Sequence, residues 1–326
     1  MHVVQLGLGA IGLSMTRLLA GQGGLTLTGA VDPAHDGKSL SQLAGLEDDL
    51  GITVAASLEA TGASADVAVL ATTSRMESIT PQVLSLVREG LCVVSTCEEL
   101  VYPWNSHPEL AGEIDAAATR AGVAVLSSGV NPGFLMDFLP LIISRMTTGV
   151  TSVAVERIQD AAPRRAAFQQ KIGAGLTLAE FEKKVTDGNF GHAGLLASLE
   201  LLADGLGWEL DDLEETIAPV LAERDIDYSG GSLRGGDVAG LHQEAVGFLG
   251  GKEVLTLTFQ AAVGEPESFD RIEIDGAVPL MAVFPGGVPG DAATGAIIVN
   301  AIPLVKRLPP GLRTMADLWP AVEQGP

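Results

Sequence analysis

The N-terminal segment of the 326-residue chain places an apolar run, a glycine pattern and a helical pattern in quick succession. The apolar residues 2–6 lead into Gly7-Leu8-Gly9-Ala10-Ile11-Gly12, a GxGxxG pattern, and a second apolar run, 25–31, ends in Asp32. In such a unit the first glycine makes a tight turn, the second lets a pyrophosphate approach the backbone, and the third lets helix and strand pack closely. This order predicts a dinucleotide-binding unit at the start of the chain.

The turn and Asp32 also predict how a dinucleotide is held. N–H groups and the positive end of the helix dipole favour the phosphates, and a carboxylate after the second strand can accept both ribose hydroxyls. The predicted phosphate-binding residues are Gly7, Gly9, Ala10, Ile11 and Gly12. Asp32 has no adjacent arginine for a 2′-phosphate, so we expect NAD, with NADP possible if His35 or Lys38 reaches that position.

Apolar, strand-like runs alternate with helical patterns over the first 130 residues. We expect strands at 3–6, 25–31, 52–55, 67–71, 91–94 and 123–126, with helices at 81–89 and 108–120. Near-continuous apolar strands separated by helices indicate a parallel sheet covered on both faces. The predicted fold is α/β, a Rossmann-type doubly wound parallel sheet over residues 1–134, and its ligands bind beyond the carboxyl ends of the strands.

The pattern changes after residue 134, which indicates a second domain. We expect helices at 134–146, 177–185, 193–202 and 210–224, and strands at 151–158, 250–263 and 269–274. This mixture predicts an α+β domain with an open mixed sheet over residues 135–290. The apolar helix at 291–305 and the remainder to 326 are expected to pack back on the first domain.

Composition narrows the range of partners and locations. The chain carries 41 acidic and 19 basic residues, a net charge of −22, which argues against binding to nucleic acid or to an anionic membrane. No apolar stretch reaches the ~18–20 residues of a membrane helix, and no N-terminal signal pattern is present, so we expect a cytoplasmic protein. The two cysteines, Cys92 and Cys97, are too few for a metal site, and no metal is predicted.

Polar residues follow two of the predicted strands at the edge where ligands bind. Thr72 and Thr73 can contact a ribose and diphosphate, or simply cap the next helix. Glu98 and Glu99 follow the next strand, where a half-desolvated carboxylate has a raised pKa and can move protons. Alternatively, the two glutamates form a solvated helix start.

Asn131 and His192 are the remaining polar candidates. Asn131 lies in a Pro/Gly loop after the sixth predicted strand, where its amide can hold a nicotinamide carboxamide or a substrate, or serve only as a turn residue. His192 is a lone histidine in a glycine-rich loop, and such residues are more often structural than catalytic.

Several longer motifs occur along the chain. They are the segments 95–100 (Ser-Thr-Cys-Glu-Glu-Leu), 129–137 (Gly-Val-Asn-Pro-Gly-Phe-Leu-Met-Asp), 171–177, 191–194 and 299–303 (Val-Asn-Ala-Ile-Pro). With the glycine loop and Asp32, they resemble the dihydrodipicolinate-reductase-like oxidoreductases, and within them the 2,4-diaminopentanoate dehydrogenases and related native amine dehydrogenases.

This resemblance implies oxidative deamination of an amine with NAD(P)+, or in reverse the reductive amination of a ketone or aldehyde with ammonia. It implies that Glu98 or Glu99 serves the nitrogen, with Glu98 the first choice. It also implies that Asn131 and Asn300, at a helix start, frame the nicotinamide, that His192 lies near the substrate, and that the second domains pair in a homodimer. Thr96 and Cys97 are also expected at the cofactor. The expected apolar walls of the substrate site are Phe134, Phe138 and Phe168.

Two other functions fit the same patterns. One is a reductase of this architecture that acts on a semialdehyde or a cyclic imine. The other is a dinucleotide-binding sensor without catalytic activity, against which the Glu98-Glu99 pair argues. A requirement for ammonia in turnover separates the amine dehydrogenase from both.

Overall fold

A computed structural model describes residues 1–188 and 190–318 of the chain. Two compact units divide the chain: the first contains residues 1–134 and the described residues from Pro289 onward, and the second contains Leu135–Val288. Within the described ranges, every helix is too short or too polar to span a bilayer. The cytoplasmic location stays a prediction.

Parallel strands form the sheet of the first unit. They are β1 (His2–Leu6), β2 (Thr26–Val31), β3 (Val67–Leu70), β4 (Cys92–Ser95), β5 (Ala124–Ser127) and β14 (Gly311–Arg313). Their order is β14-β5-β4-β3-β1-β2, and each neighbouring pair is parallel. The chain winds outward in both directions from the β1–β3 pair, so the crevice for a ligand lies at the carboxyl ends of these two strands.

Helices cover both faces of this sheet, which is why β3 and β4 are buried along their whole length and only Ser95, at the end of β4, is polar in them. The helices are α1 (Ala10–Gly21), α2 (Leu40–Ala44), α3 (Leu58–Thr61), α4 (Met76–Arg88), α5 (Pro108–Ala121) and α10 (Gly290–Val305). Short 3-10 turns occupy Pro33–His35, Glu98–Leu100 and Met315–Leu318. α10 packs on α1, where a Cβ at Gly295 would come within 3.1 Å of Leu18 Cδ1, so the missing side chain permits the close approach.

The predicted fold class is confirmed, but one predicted strand is wrong. Residues 52–55 make only isolated bridges, Val31 with Ala55 and Ser39 with Thr53. Val54 bonds to the backbone of the loop at 37–38, and only Ala55 bonds to the end of β2, so the segment does not form a continuous ladder with a neighbouring strand. The sixth strand of the sheet is β14, a three-residue segment that pairs with β5 from almost 190 positions away.

The second unit has an open mixed sheet. Its strands are β6 (Ser152–Asp160), β7 (Asp212–Leu221), β10 (Val238–Leu249), β11 (Lys252–Ala262), β12 (Phe269–Asp275) and β13 (Leu280–Pro285), and β8 (Ile226–Tyr228) and β9 (Gly231–Leu233) form a separate hairpin. The order is β13-β12-β6-β11-β10-β7, with β6 and β11 parallel and the other pairs antiparallel.

One face of this sheet carries helices. The helices of the unit are α6 (Phe138–Ser144), α7 (Ala166–Lys171), α8 (Leu178–Thr186) and α9 (Leu195–Leu206), and α6 and α9 pack on the sheet. In β11, Leu255 and Leu257 are fully buried on this face, whereas Thr256 between them points to the other face and is partly exposed. This alternation is typical of a sheet with one covered face.

Two helices predicted from the sequence differ in the structure. The helix expected at 210–224 is wrong, because this segment contains β7. Its acidic residues mimic helical spacing, but Thr216, Ile217 and Val220 favour a strand, and Pro219 suits an edge strand while it would break a helix. The helix expected at 134–146 begins only at Phe138, where the side chain of Asp137 accepts the Phe138 N–H at 2.6 Å.

Candidate active site

The three glycines of the first turn have three different environments. Gly7 has a φ of +86°, and a Cβ there would lie 2.3 Å from the Ala71 carbonyl oxygen. A Cβ at Gly12 would lie 2.0 Å from the Gly7 carbonyl oxygen, so α1 can approach β1 only with glycine at this position. A Cβ at Gly9 would meet nothing within 4 Å. The space above Gly9 is therefore open to a ligand, as the pyrophosphate contact requires.

Asp32 braces this turn and keeps acceptor capacity for a ligand. Its Oδ2 accepts the Leu8 N–H at 2.8 Å and its Oδ1 accepts the Ala34 N–H at 2.9 Å. A carboxylate has about four lone-pair positions, so two remain for hydroxyl groups. Gly9 precedes α1 and has no side chain to cap the helix, so the N–H groups of the first turn are suited to an anion. This turn fits a dinucleotide diphosphate and ribose.

The two threonines after β3 have local partners. Thr72 Oγ1 donates to Gln82 Oε1 at 2.8 Å, and Thr73 Oγ1 accepts the Arg75 N–H at 3.2 Å. Neither bond caps α4, because Thr72 binds a side chain and Thr73 binds the N–H of Arg75, which precedes the helix. Thr72 also lies directly against Gly7, with its Cγ2 3.0 Å from where a Cβ would stand. Thr72 therefore lies beside the glycine turn, and the contact of Thr72 and Thr73 with a cofactor stays a prediction.

The two glutamates after β4 have different roles in the structure. The Glu99 carboxylate accepts from Arg75 Nη1 at 2.8 Å and from the Met76 N–H at 2.6 Å, at the first residue of α4. Its side chain is only 16% exposed. Glu98 is the first residue of the 3-10 turn Glu98–Leu100 and is partly exposed. Because Glu99 is committed to the start of α4, Glu98 is the better candidate for proton transfer.

Glu99 also belongs to a group of possible metal ligands. Its carboxylate, that of Glu77 and the His107 ring have ligand atoms within 4.8 Å of one another. His107 Nε2 lies 3.6 Å from Glu77 Oε1, and Arg75 already balances the charge of Glu99. Ion pairing accounts for this group.

Cys97 contributes backbone rather than its thiol to this edge of the sheet. The side chain has no exposed surface, and burial raises the pKa of the Cys97 thiol to about 12, so it stays protonated. Its N–H donates to Ser95 Oγ at 3.0 Å and its carbonyl accepts from Ser127 Oγ at 2.7 Å. The neighbouring Thr96 is partly exposed, and its N–H donates to the Leu70 carbonyl.

The loop that contains Asn131 is buried and tied to α10. Asn131 is 8% exposed, and the Val130 N–H donates to Thr294 Oγ1 at 3.1 Å. The placement predicted for Asn300 is wrong, because α10 begins at Gly290 and Asn300 lies exposed in its C-terminal half. Thr294, near the start of α10, is the residue that meets this loop. Local sequence patterns do not reveal Thr294 as part of this site, because the contact joins positions 164 apart.

The second unit holds His192 through backbone and ring contacts. Its N–H donates to Gln243 Oε1 at 2.6 Å, and Gln243 Nε2 donates to the His192 carbonyl at 3.3 Å and to Glu215 Oε1 at 2.8 Å. Its ring stacks on Phe259 with 4.6 Å between centroids. Gln243 was missed because β10 was not predicted, although buried and half-buried residues alternate along that strand.

The predicted aromatic walls belong to different units. Phe134 lies in the first unit, and Phe138 and Phe168 lie in the second; all three are partly exposed. Arg164 stacks over the Phe168 ring at 4.2 Å. Within the first unit, the glycine turn, Asp32, the threonines and Glu98 all follow carboxyl ends of neighbouring strands, so one edge of the sheet carries them.

Comparison with known proteins gives matches over the whole chain. Residues 134–323 match the family model described as the 2,4-diaminopentanoate dehydrogenase C-terminal domain. The chain is 31% identical over 330 residues to the 2,4-diaminopentanoate dehydrogenase of Acetoanaerobium sticklandii, covering 97% of this chain and 92% of that protein. It is 27% identical over 221 residues to an amine dehydrogenase of Streptomyces virginiae, covering 64% and 60% of the two chains. The solved structure of an amine dehydrogenase from Mycobacterium smegmatis superposes with a TM-score of 0.84 at 24% identity, over 100% and 97% of the chains.

Proposed function

Since the chain belongs to the 2,4-diaminopentanoate dehydrogenase family, as its motifs predicted, we propose that it is an NAD(P)-dependent amine dehydrogenase. It is an oxidoreductase that acts on a CH–NH2 group. In the proposed reaction an amine and water give a ketone or aldehyde and ammonia, and the reverse reaction is reductive amination. The observation that carries the mechanism is the bonding of the Glu99 carboxylate to Arg75 and to the first N–H of α4, which favours the partly exposed Glu98 for proton transfer.

The turn at residues 7–12 and Asp32 would hold the cofactor. The open space over Gly9 fits the diphosphate, and the remaining acceptor capacity of Asp32 fits the ribose hydroxyls. When bound, NAD(P)+ accepts a hydride from the carbon that bears the amine. NAD is preferred, because the negative charge of the Asp32 carboxylate repels a 2′-phosphate. A larger kcat/KM with NADP+ than with NAD+ would contradict this preference.

Glu98 moves the protons of the reaction. In deamination its carboxylate takes a proton from the substrate ammonium, which frees the nitrogen lone pair as hydride leaves the carbon. After an imine has formed, Glu98 accepts a proton from the attacking water and passes it to the nitrogen of the resulting carbinolamine. Its carboxylate then takes the hydroxyl proton as the C=O bond forms and the C–N bond breaks, so that ammonia leaves. A partly exposed carboxylate at a strand end can exchange its proton with solvent between these steps.

The substrate is an apolar amine in this proposal. Phe138 and Phe168 supply partly exposed aromatic surface in the second unit, and His192 lies stacked on Phe259 in the same unit. Aromatic and apolar walls favour an alkyl chain over a second charged group. We therefore expect simple aldehydes and ketones to be aminated with higher kcat/KM than amino keto acids.

One assay tests the function and its alternatives. NADH consumption is followed with a panel of aldehydes, ketones, semialdehydes and cyclic imines, with and without ammonia. Ammonia-dependent consumption supports the amine dehydrogenase. Equal rates without ammonia indicate a reductase, and NADH binding without turnover indicates a sensor. Glu98→Gln should lower kcat for amination at least about 100-fold while NADH affinity stays the same, and unaltered amination in this variant overturns the role of Glu98.

The assembly we propose is a homodimer built on the second unit. The face of its sheet opposite α6 and α9 carries Met281, 67% exposed, and Val283, 46% exposed, on the edge strand β13. A second copy packed on this face would bury that apolar surface. Light scattering should report a dimer, and Met281→Glu with Val283→Glu should weaken it. A wild-type monomer at all concentrations would exclude this assembly.

A further inference from the structure

Glu98 lies between two residues that the fold fixes in place. On one side, the Cys97 N–H donates to Ser95 Oγ at 3.0 Å, and the Cys97 carbonyl accepts from Ser127 Oγ at 2.7 Å. All three residues are fully buried. The chain that enters Glu98 is therefore bonded to both β4 and β5, and its peptide cannot rotate without breaking buried hydrogen bonds, which is costly.

On the other side, Glu99 ties the turn to the loop after β3. Its N–H donates to the Ser74 carbonyl at 3.3 Å, and its carboxylate accepts from Arg75 and from the Met76 N–H. Charge-assisted bonds of this kind are stronger than neutral ones, and the positive end of the α4 dipole adds to them. The loop that Glu99 holds, residues 72–75, contains Thr72, which lies against Gly7 of the glycine turn.

We propose that Glu99 is a positioning residue for Glu98. It fixes the 3-10 turn against Arg75 and the start of α4, so that Glu98 stands at a set distance from the loop beside the cofactor turn, and Glu99 itself transfers no proton. This inference rests on the proposed function, in which Glu98 carries the protons. A displacement of about 1 Å in a reacting group can cost on the order of 100-fold in rate, so the loss of this anchor should be visible in kcat.

A double-mutant cycle tests the proposal. Glu99→Gln removes the charge that holds Arg75. We expect kcat for amination to fall about 10-fold, which is less than the loss of about 100-fold for a displacement of about 1 Å. KM and NADH affinity should change little. If Glu99 acts only through Glu98, then Glu99→Gln adds no further loss to a Glu98→Gln enzyme. Glu77→Gln is the matched control, because it removes an exposed charge from the same turn of α4 and should leave kcat unchanged.

The pH profile separates positioning from proton transfer. If Glu99 only positions, the acidic limb of the kcat profile persists in Glu99→Gln and disappears in Glu98→Gln. Arg75→Lys keeps a cation for Glu99 and should restore most of the rate that Arg75→Gln loses, which covers the case in which Glu99→Gln does not fold.

Three results would overturn the proposal: an unchanged kcat in Glu99→Gln, an additive loss in the double variant, or loss of the acidic limb in Glu99→Gln alone. A Glu98→Gln enzyme with unaltered kcat would instead defeat the proposed function. Because these outcomes come from different variants, failure of the positioning role can be told apart from failure of the reaction.

Discussion

Gln243 and His192 are joined by two hydrogen bonds between the side chain of one and the backbone of the other. The His192 N–H donates to Gln243 Oε1 at 2.6 Å, and Gln243 Nε2 donates to the His192 carbonyl at 3.3 Å. Gln243 is 2% exposed, and its Nε2 also donates to Glu215 Oε1. A carboxylate accepts hydrogen bonds but donates none, so the NH2 group of the Gln243 amide must face Glu215. The amide oxygen is then placed to accept the His192 N–H.

We expect Gln243→Leu to displace His192 without unfolding the unit. The substitution leaves the His192 N–H without its acceptor, at a cost of about 1–3 kcal/mol, and frees the loop to move. If His192 lies at the substrate, KM for the carbonyl should rise about tenfold, which corresponds to about 1.4 kcal/mol. NADH affinity should stay constant, because the proposed cofactor residues lie in the first unit. Steady-state kinetics and an NADH titration measure the two effects.

Gln260→Leu is the matched control for this prediction. Gln260 lies on β11, in the same sheet, and bonds to His242 and Glu265 rather than to His192. The Gln260→Leu substitution therefore removes an amide of the same size from the same sheet. Equal increases in KM for the two variants would mean that Gln243 supports the sheet rather than the position of His192.

Local patterns in the sequence predicted local structure well. The glycine turn needs only neighbouring residues, and Gly7, Gly9 and Gly12 each have the environment expected from their position in the pattern. The strands β1 to β5 were found because buried parallel strands are nearly continuous apolar runs. The open mixed sheet of the second unit was predicted from the alternation in β6, β11 and β12.

Contacts between distant segments could not be predicted in the same way. Nothing in the segment at 95–100 distinguishes Glu98 from Glu99, because the difference arises from Arg75, 24 positions earlier. β14 is too short to show a pattern, and it is a strand only because β5 lies beside it. β7 was mistaken for a helix because its neighbour β10, which determines its pairing, was not recognised as a strand.

The glycines of the cofactor turn should respond differently to alanine. A Cβ at Gly12 would lie 2.0 Å from a backbone oxygen, so Gly12→Ala should force α1 away from β1 and lower the melting temperature. Gly9→Ala meets nothing within 4 Å in the protein, so the melting temperature should hold while NADH affinity falls. Thermal unfolding and NADH titration of both variants test this contrast. Unchanged NADH affinity in Gly9→Ala would mean that the diphosphate does not lie over Gly9.

Cys97 should be inert in the folded protein. Burial raises the pKa of its thiol to about 12 from an ordinary value of 9.0, and only the thiolate reacts with alkylating agents or aromatic disulfides. At pH 8 we expect no modification of Cys97 in the native protein and full modification after unfolding in guanidinium chloride, as read by mass spectrometry. Rapid labelling of Cys97 in the native state would contradict its burial.

Removal of one partner from the buried ion pair between Arg157 and Asp270 should strongly destabilise the second unit. Arg157 Nη1 lies 2.7 Å from Asp270 Oδ1, and the two residues are 2% and 0% exposed. Arg157 Nη2 donates to the Val288 carbonyl, and Asp270 Oδ2 accepts the Val288 N–H, so the pair also holds the last residue of the unit. Arg157→Met leaves a buried carboxylate uncompensated, which we expect to lower the free energy of unfolding by about 3–5 kcal/mol in urea titrations.

Arg271→Met is the control for this prediction, and the pH dependence of stability is a second test of it. Arg271 pairs with Glu156 at a half-exposed position, so Arg271→Met should cost less than about 1 kcal/mol. Burial already raises the pKa of Asp270, and loss of Arg157 raises it further above its unfolded value. The folded Arg157→Met protein then binds a proton more readily than the unfolded chain, so its stability should rise as the pH falls from neutral through that pKa. The prediction fails if Arg157→Met and Arg271→Met lower the free energy of unfolding equally and with the same pH dependence. Asp270 would then not be left as an uncompensated buried charge.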